Sequence, residues 1–323
     1  MKDYVITQER IQEVIPALQG KLGGWATRKA MRWFGIDRLN GIYKRCLDPD
    51  AVVFCRNVLE DAGINLVLEN REVLDRFGEK PFVTISNHPY GHIETLGLIS
   101  VIGAARPDYK FMGNVIFDEI EVLSGRMVGV RPSQKKYGVA ESAFETTAET
   151  LDHIRAGHPF GFYPGGGVSG IRYEDGKFRV TDPKWRVGTV SLIERAGVPV
   201  IPVYFSGHNS FWYNALGVIN IHLRDARLIR ELGTKKGKTV YMRFGEPIHP
   251  EKLTVFSSKK ELSAFLRASV YKLGNRPEKA GLALGEEQAA GTLEPVVLYL
   301  PDYYTGEYTP YAEVLSGDEN AVA

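Results

Sequence analysis

The chain is poor in features that would place it quickly. It has two cysteines, Cys46 and Cys55, in 323 residues. Both fall in helical sequence, at a spacing that fits neither a disulfide framework nor a metal site, so reduced thiols in a cytosolic protein are expected. The longest apolar-rich stretch, Thr95 to Ala105, is far short of the roughly 20 residues that span a bilayer. The opening MKDYVITQER has no apolar signal core, so no secretory leader is expected. Formal net charge is +1, which removes any global electrostatic case for nucleic acid. The one glycine-rich stretch lacks the Gly-Lys-Ser/Thr ending of a nucleotide P-loop. No internal repeat is found. Composition is that of an ordinary globular protein, 44% hydrophobic and 24% charged, long enough for a substantial core.

Charge is unevenly spread. Residues 21–45 carry seven Lys/Arg against one Asp, while residues 286–323 carry eight acids and no Lys or Arg. Residues 1–75 read as an N-terminal helical segment. Leu22, Ala26, Ala30, Trp33 and Phe34 share one arc of a helix, with Lys21, Arg28 and Arg32 on the other side. That pattern suits an anionic lipid interface, or equally a helix packed on the core with its basic face in water. A cytoplasmic protein held peripherally on the cytoplasmic membrane is the expectation. Residues 276–323, acidic and rich in Gly, are expected to form a weakly ordered tail.

Between these ends, residues 76–275 alternate between strand and helix patterns. This predicts an α/β fold with a mixed, mostly parallel sheet flanked by helices. Strands are expected at 81–86, 126–130, 159–163, 198–204, 219–223 and 239–244. Helices are expected at 92–105, 138–156, 185–197 and 259–273, the last opened by the capping pattern Ser258-x-x-Glu261. The two prolines in Val198-Pro199-Val200-Ile201-Pro202-Val203-Tyr204 point to an edge strand or a ligand-facing strand end.

The densest chemistry is Ser86-Asn87-His88-Pro89-Tyr90-Gly91-His92-Ile93-Glu94, directly after an apolar strand. Strand tips followed by Pro/Gly turns are where open α/β sheets place their chemistry. Pro89 disfavours helical backbone at His88, and a turn through Tyr90-Gly91 can fold Glu94 back beneath the imidazole. His88 then reads as a general base and Glu94 as its orienting acid, with no protein nucleophile beside them. The bland alternative is a turn histidine bonded to backbone, with Glu94 in solvent. A zinc site from His88, His92 and Glu94, as in a metallohydrolase, needs both imidazoles on one helical face, which Pro89 opposes; no metal is expected. A second constellation, Phe160 to Gly170, ends an apolar strand in Gly165-Gly166-Gly167 and includes Ser169. Consecutive glycines let backbone amides approach a ligand and bind an oxyanion.

Taken in order, these pieces resemble the glycerolipid (lysophospholipid) acyltransferase superfamily. Block one is Asn87-His88 through Glu94, and block two is Lys110 to Arg131, with Gly113 and Arg131 as matches. Block three is Phe162 to Ser169, and block four is Val198 to Val203. The acid lies one position later than the superfamily's pattern and is Glu instead of Asp, which is similar to the hemolysin-like or ornithine-lipid-type branch. Gly165 and Val168 stand where the superfamily has Glu and a phosphate-contacting Arg, which argues against glycerol phosphate or lysophosphatidate as acceptor unless Arg131 or Arg172 takes that Arg's place.

The resemblance implies an acyltransferase that uses acyl-CoA or acyl-carrier protein as cosubstrate, with no bound cofactor, and a lyso-lipid acceptor, preferably a lyso-amino-acid lipid. It casts His88 and Glu94 as catalytic, and Gly165, Gly166, Gly167, Ser169 and Arg131 as oxyanion or acceptor ligands. Asn87, Tyr90, His92 and Phe117 are expected to line the substrate channel. The competing reading is a lipid-binding protein with this fold and no turnover.

Overall fold

The computed structural model describes residues 23–114, 120–130, 139–174, 176–275, 282–283, 299–301 and 308–310. Three helices lead: α1 (Gly23–Phe34), α2 (Ile36–Cys46) and α3 (Ala51–Asp61). Asp50 caps α3, its side chain accepting from Val52 N at 2.7 Å and Val53 N at 3.3 Å, which satisfies amides that a helix start leaves unpaired. Strand and helix then alternate through β1 (Asn65–Glu69), β2 (Val83–Ser86), α4 (Ile93–Ala105), β3 (Lys110–Asn114), β4 (Met127–Val130), α5 (Val139–Arg155) and β5 (Phe160–Phe162). A hairpin of β6 (Gly170–Glu174) and β7 (Lys177–Thr181) follows, then α6 (Val187–Ala196), β8 (Val200–Phe205), α7 (Phe211–Ile219), α8 (Ile221–Glu231), β9 (Thr239–Phe244) and α9 (Lys259–Gly274).

The main sheet runs β1-β9-β8-β2-β5-β3-β4, with Leu282–Ala283 paired antiparallel outside β1. All neighbouring pairs among the seven longer strands are parallel except β8 with β9. The fold is therefore α/β with a mixed, mostly parallel sheet flanked by helices. Each face carries its own core. Leu59, Ile99, Ile102, Phe205 and Met242 belong to the cluster under α3 and α4. Val83, Ile85, Ile193, Leu266 and Val270 belong to the cluster under α6 and α9. The α4 sequence is apolar nearly all round, and residues 93–103 are buried throughout, as a fully enclosed helix requires.

Several expectations need correction. The helical reading of residues up to 75 fails at Asn65–Glu69, which pairs in parallel with β9, so the sheet begins before residue 76. Residues 219–223 are not a strand: Ile219 ends α7 and Ile221 opens α8. The edge reading of the proline-rich strand also fails, since β8 lies between β9 and β2. Its register explains how a central strand tolerates Pro202. The β9 ladder starts at Val203↔Phe244, and beyond it Gly245 N donates to Pro202 O at 2.8 Å. Pairing resumes only at the Val200↔Ile248 bridge, so the missing Pro202 N–H falls where the partner strand has ended. Met31 and Thr27 of α1 point inward while Trp33 is 64% exposed, so Trp33 is not on the packed arc. Residues 1–22 and most of 276–323 lie outside the described residues.

The Ser258 cap of α9 forms as expected, its hydroxyl accepting from Glu261 N at 3.2 Å. The Glu261 carboxylate takes the Ser257 hydroxyl at 2.6 Å.

Candidate active site

Three adjacent parallel strands, β8, β2 and β5, end side by side, and the loops beyond their carboxyl ends converge. The middle loop holds His88. Its backbone is clamped on both sides: His88 N donates to Asp182 Oδ1 at 3.0 Å, and its carbonyl accepts from Ser169 N at 2.8 Å. Its ring stacks on Tyr163, with centroids 4.2 Å apart and an interplanar angle of 26°. Tyr163 in turn shares a 2.9 Å hydrogen bond with Thr95 of α4. Helix α4 starts only at Ile93, with His92 at its N-cap, as Pro89 requires.

Glu94, in the first turn of α4, is wholly buried and turns back under the loop. Its Oε1 accepts from Tyr90 N at 2.5 Å and Gly91 N at 3.3 Å, and lies 3.7 Å from His88 Nδ1. That last separation is a close electrostatic contact just beyond hydrogen-bond length. His88 Nδ1 and Glu94 Oε2 are buried atoms without a hydrogen-bond partner, while the His88 side chain keeps 15% of its surface. The open edge of the ring is therefore the one away from Nδ1.

Burial drives both groups toward neutrality. Desolvation, with neighbouring His92, pushes His88 down to about 3. Desolvation pushes Glu94 up to about 8, against the pull of the Tyr90 and Gly91 amides. A carboxylic acid beside neutral imidazole and a carboxylate beside imidazolium hold the same number of protons, so the pair must lose one proton before His88 can act as a base backed by charge.

Gly91 has φ +86°, and a Cβ there would meet Val168 and Leu228. A side chain would thus push the His88 turn off the glycine loop and α8. Gly166 also has positive φ, +63°, and a Cβ there would strike the Arg186 guanidinium, 2.6 Å from Nε. Its amide donates to Tyr163 O at 2.9 Å. With Ser169 N also engaged, by the His88 carbonyl, the expected oxyanion donors are reduced to the Gly165 and Gly167 amides. Ser169 Oγ donates to Asp182 Oδ1 at 2.5 Å, so Ser169 positions the loop and is not offered to a ligand.

Asn87, expected in the channel, spends both ends of its amide on Phe205: Nδ2 donates to the carbonyl and Oδ1 accepts from the amide, each at 2.8 Å. Tyr90 is buried, and its hydroxyl donates to Ser206 O at 2.8 Å. Both tie the turn to the end of β8 through their polar atoms. His92 is largely enclosed between the turn and α8, held neutral by burial and by Lys235, with its pKa near 4. Phe117 and Arg131 lie outside the described residues. Among the described residues no group of three or more His, Cys, Asp or Glu converges in a way that could hold a metal ion.

Sequence reasoning missed the hub of the site. Asp182, 1% exposed, accepts from His88 N, Ser169 Oγ and, at 3.1 Å, Trp185 Nε1, while its own amide donates to Tyr271 Oη at 2.9 Å. Burial raises its pKa, and the Ser169, His88 and Trp185 donors oppose that. The signal available was Asp182-Pro183, a turn dipeptide, followed by Trp185 and Arg186. Arg186 also went unnoticed, although it places a cation against the glycine loop.

A family model described as Acyltransferase matches residues 10–280. The chain belongs to this acyltransferase family. No curated protein matches it. Among solved structures it is similar to the 1-acyl-sn-glycerophosphate (LPA) acyltransferase, PlsC, from Thermotoga maritima, at 16% identity and a TM-score of 0.41, over 84% of this chain and 100% of that one. At that level nothing about this chain's substrate follows. For an acyltransferase, the pairing of His88 with Glu94 at a glycine loop is the arrangement that needs explaining chemically.

Proposed function

We propose that this acyltransferase moves a fatty acyl group from an acyl-CoA or acyl-carrier-protein thioester to a hydroxyl of a lyso-lipid, on a membrane surface. The supporting observation is the orientation of His88, with its buried nitrogen toward Glu94 and the open edge of its ring bonded to no side-chain hydroxyl or thiol among the described residues. A base poised without a protein nucleophile takes its nucleophile from the substrate.

The acceptor O–H gives its proton to the open nitrogen of His88 as its oxygen attacks the thioester carbonyl. The Gly165 and Gly167 amides would stabilise the resulting oxyanion. Collapse of the tetrahedral species expels thiolate, which takes the proton back from the imidazolium, leaving ester and free thiol. Glu94 as carboxylate stabilises the imidazolium in between. The thioester is a cosubstrate, and no resident cofactor is invoked.

An amino-acid lipid of the ornithine or glycine type is the preferred acceptor. Val168 packs against Gly91 where a phosphate-binding Arg would stand, and Arg186 beside Gly166 offers a guanidinium suited to a headgroup carboxylate. Wild type and His88→Ala are incubated with labelled acyl-CoA and acyl-carrier protein, against lyso-phospholipid and lyso-amino-acid-lipid acceptors. Product from wild type alone supports the reading, and the productive pair names donor and acceptor. Absence of product across the panel, from folded protein, refutes it.

A further inference from the structure

The hairpin of α7 and α8 turns a large apolar surface outward. Among its described residues the buried side chains are Tyr213, Asn214, Arg224 and Glu231. Glu231 accepts from Ser210 N at 2.8 Å, Ser210 Oγ at 2.7 Å, Arg227 Nε at 3.2 Å and Lys235 Nζ at 3.1 Å. Arg224 bonds Asp225 at 2.9 Å and lies over the Tyr213 ring. That network, with the buried Tyr213 ring and Leu228 against Gly91, anchors the hairpin from one side. Phe211, Trp212, Val218 and Ile219 are 71, 65, 71 and 76% exposed. Exposed apolar surface of this extent marks an interaction site.

The neighbours of the hairpin continue the pattern. On one side α1 packs against α8, with Arg230 Nη1 donating to Trp33 O at 2.9 Å. The outer face of α1 presents Trp25 and Trp33 together with Arg28, Lys29 and Arg32, all exposed, and the helix has no acid. Lys29 Nζ lies 5.5 Å from the Trp25 ring. On the other side α7 packs against β6, whose hairpin exposes Tyr173 and Phe178 in edge-to-face contact.

We infer that α1, the α7–α8 hairpin and the β6–β7 tip form a docking face for an anionic lipid bilayer. Indole and aliphatic side chains would enter the headgroup boundary while the α1 cations meet lipid phosphates. Charge complementarity selects this occupant: α7 carries no charge at all, and the adjacent α1 carries only positive charge. The face adjoins the site, since Leu228 of α8 touches Gly91, and Asn209 Nδ2 donates to Tyr90 O at 3.1 Å. The inference rests on the proposed function only in taking a lipid as acceptor.

Purified full-length protein is sedimented with vesicles of phosphatidylglycerol and phosphatidylcholine in equal parts, and with phosphatidylcholine alone. Wild type should bind the anionic vesicles, and less so as salt rises. Trp212→Ala combined with Ile219→Ser should weaken binding about tenfold or more, and Arg28→Glu with Arg32→Glu should weaken it as well. These side chains are exposed, so melting temperature should hold. The inference fails if wild type does not bind, if the Trp212/Ile219 variant binds like wild type, if binding is equal without anionic lipid, or if that variant only splits a dimer. Acyl transfer to a water-soluble short-chain acceptor should be unchanged in that variant. Vesicle binding without acyl transfer from any donor keeps the docking face and removes the proposed reaction; transfer without binding does the reverse.

Discussion

Replacing Glu94 with glutamine separates its two roles. The amide oxygen of Gln can still accept from Tyr90 N and Gly91 N, as Glu94 Oε1 does at 2.5 and 3.3 Å, so the turn should keep its shape. What disappears is a negative charge 3.7 Å from His88 Nδ1. At an effective dielectric of about 20, unit charges at that distance attract by about 4.5 kcal/mol. The attraction exists only when His88 is protonated, after it has taken the acceptor's proton. Its loss should therefore appear in kcat, by roughly 10³-fold, with the acceptor KM within a few-fold. The pH profile should change too. In wild type, kcat/KM should rise with pH as the His88–Glu94 pair loses its shared proton, a step that burial moves toward about 8. In Glu94→Gln only His88 titrates, and burial holds it low, so the rising limb should move to acid pH.

Stability gives the control. The carboxyl of Glu94 is raised on folding from 4.5 to about 8. The folded state therefore holds a proton that the unfolded chain has lost across that window, and wild type loses stability, by up to a few kcal/mol, as pH rises through it. Glutamine removes this dependence, so the variant should melt no lower than wild type at pH 8. Single-turnover acyl transfer and thermal melts across pH test both halves. A kcat within threefold of wild type, with an unshifted pH profile, refutes the role assigned to Glu94.

His88→Ala should lower acyl transfer by about 10³- to 10⁴-fold while leaving anionic-vesicle binding intact; measurable transfer above a tenth of wild type would exclude His88 as the base. Asp182→Asn should cost about 2–4 kcal/mol in chemical denaturation, since a buried carboxylate accepting three hydrogen bonds becomes an amide that cannot accept at both ends. The same change should lower kcat as the His88 turn loosens, and an unaltered unfolding midpoint would remove Asp182 as the hub. His88 and His92 are held neutral by burial, at about 3 and about 4 against an ordinary 6.5. Their contribution is present above pH 6.5 and is lost as pH falls toward those values. His92→Gln should flatten the acid side of the stability profile, and an unchanged slope between pH 6 and 4 would count against it.

How much of this could be read from the chain depends on how local each feature is. The His88–Glu94 pairing was legible because a proline and a glycine inside a seven-residue span leave the backbone few ways to run. Asp182 was not, because its partner His88 lies 94 residues away and nothing near Asp182 states which loop it will meet. Strand β1 was missed because Leu66-Val67-Leu68 is apolar on both faces, as a strand buried on both sides must be, so it shows no alternation. The misread at 219–223 has the opposite cause: Ile219 and Ile221 look like strand residues because they are apolar, but they are apolar while exposed. Pro202 suggested an edge only because the gap in the β9 ladder is a tertiary fact. Asn87 and Tyr90 sit beside His88 in sequence, yet their polar atoms are used to bond the end of β8, and sequence proximity alone could not tell support from contact with a ligand.

The apolar outer face of the hairpin and the shifted pair at His88 and Glu94 bear on one physical requirement. A base whose carboxylate partner is pushed up toward 8 is weak in an idle, enclosed site, and it gains strength only once the pair has lost a proton. Acyl thioesters are prone to hydrolysis, so a base that is mostly unready near neutral pH limits attack by water until an acceptor occupies the loop. The hairpin contributes Leu228 to the wall beside Gly91, and its Glu231 with the following Lys235 acts on the charge of His92, so the elements that would rest on lipid adjoin the His88 turn. Dependence of the wild-type rate on anionic vesicles, measured with a long-chain acceptor and lost with a soluble one, is the kinetic form this coupling should take.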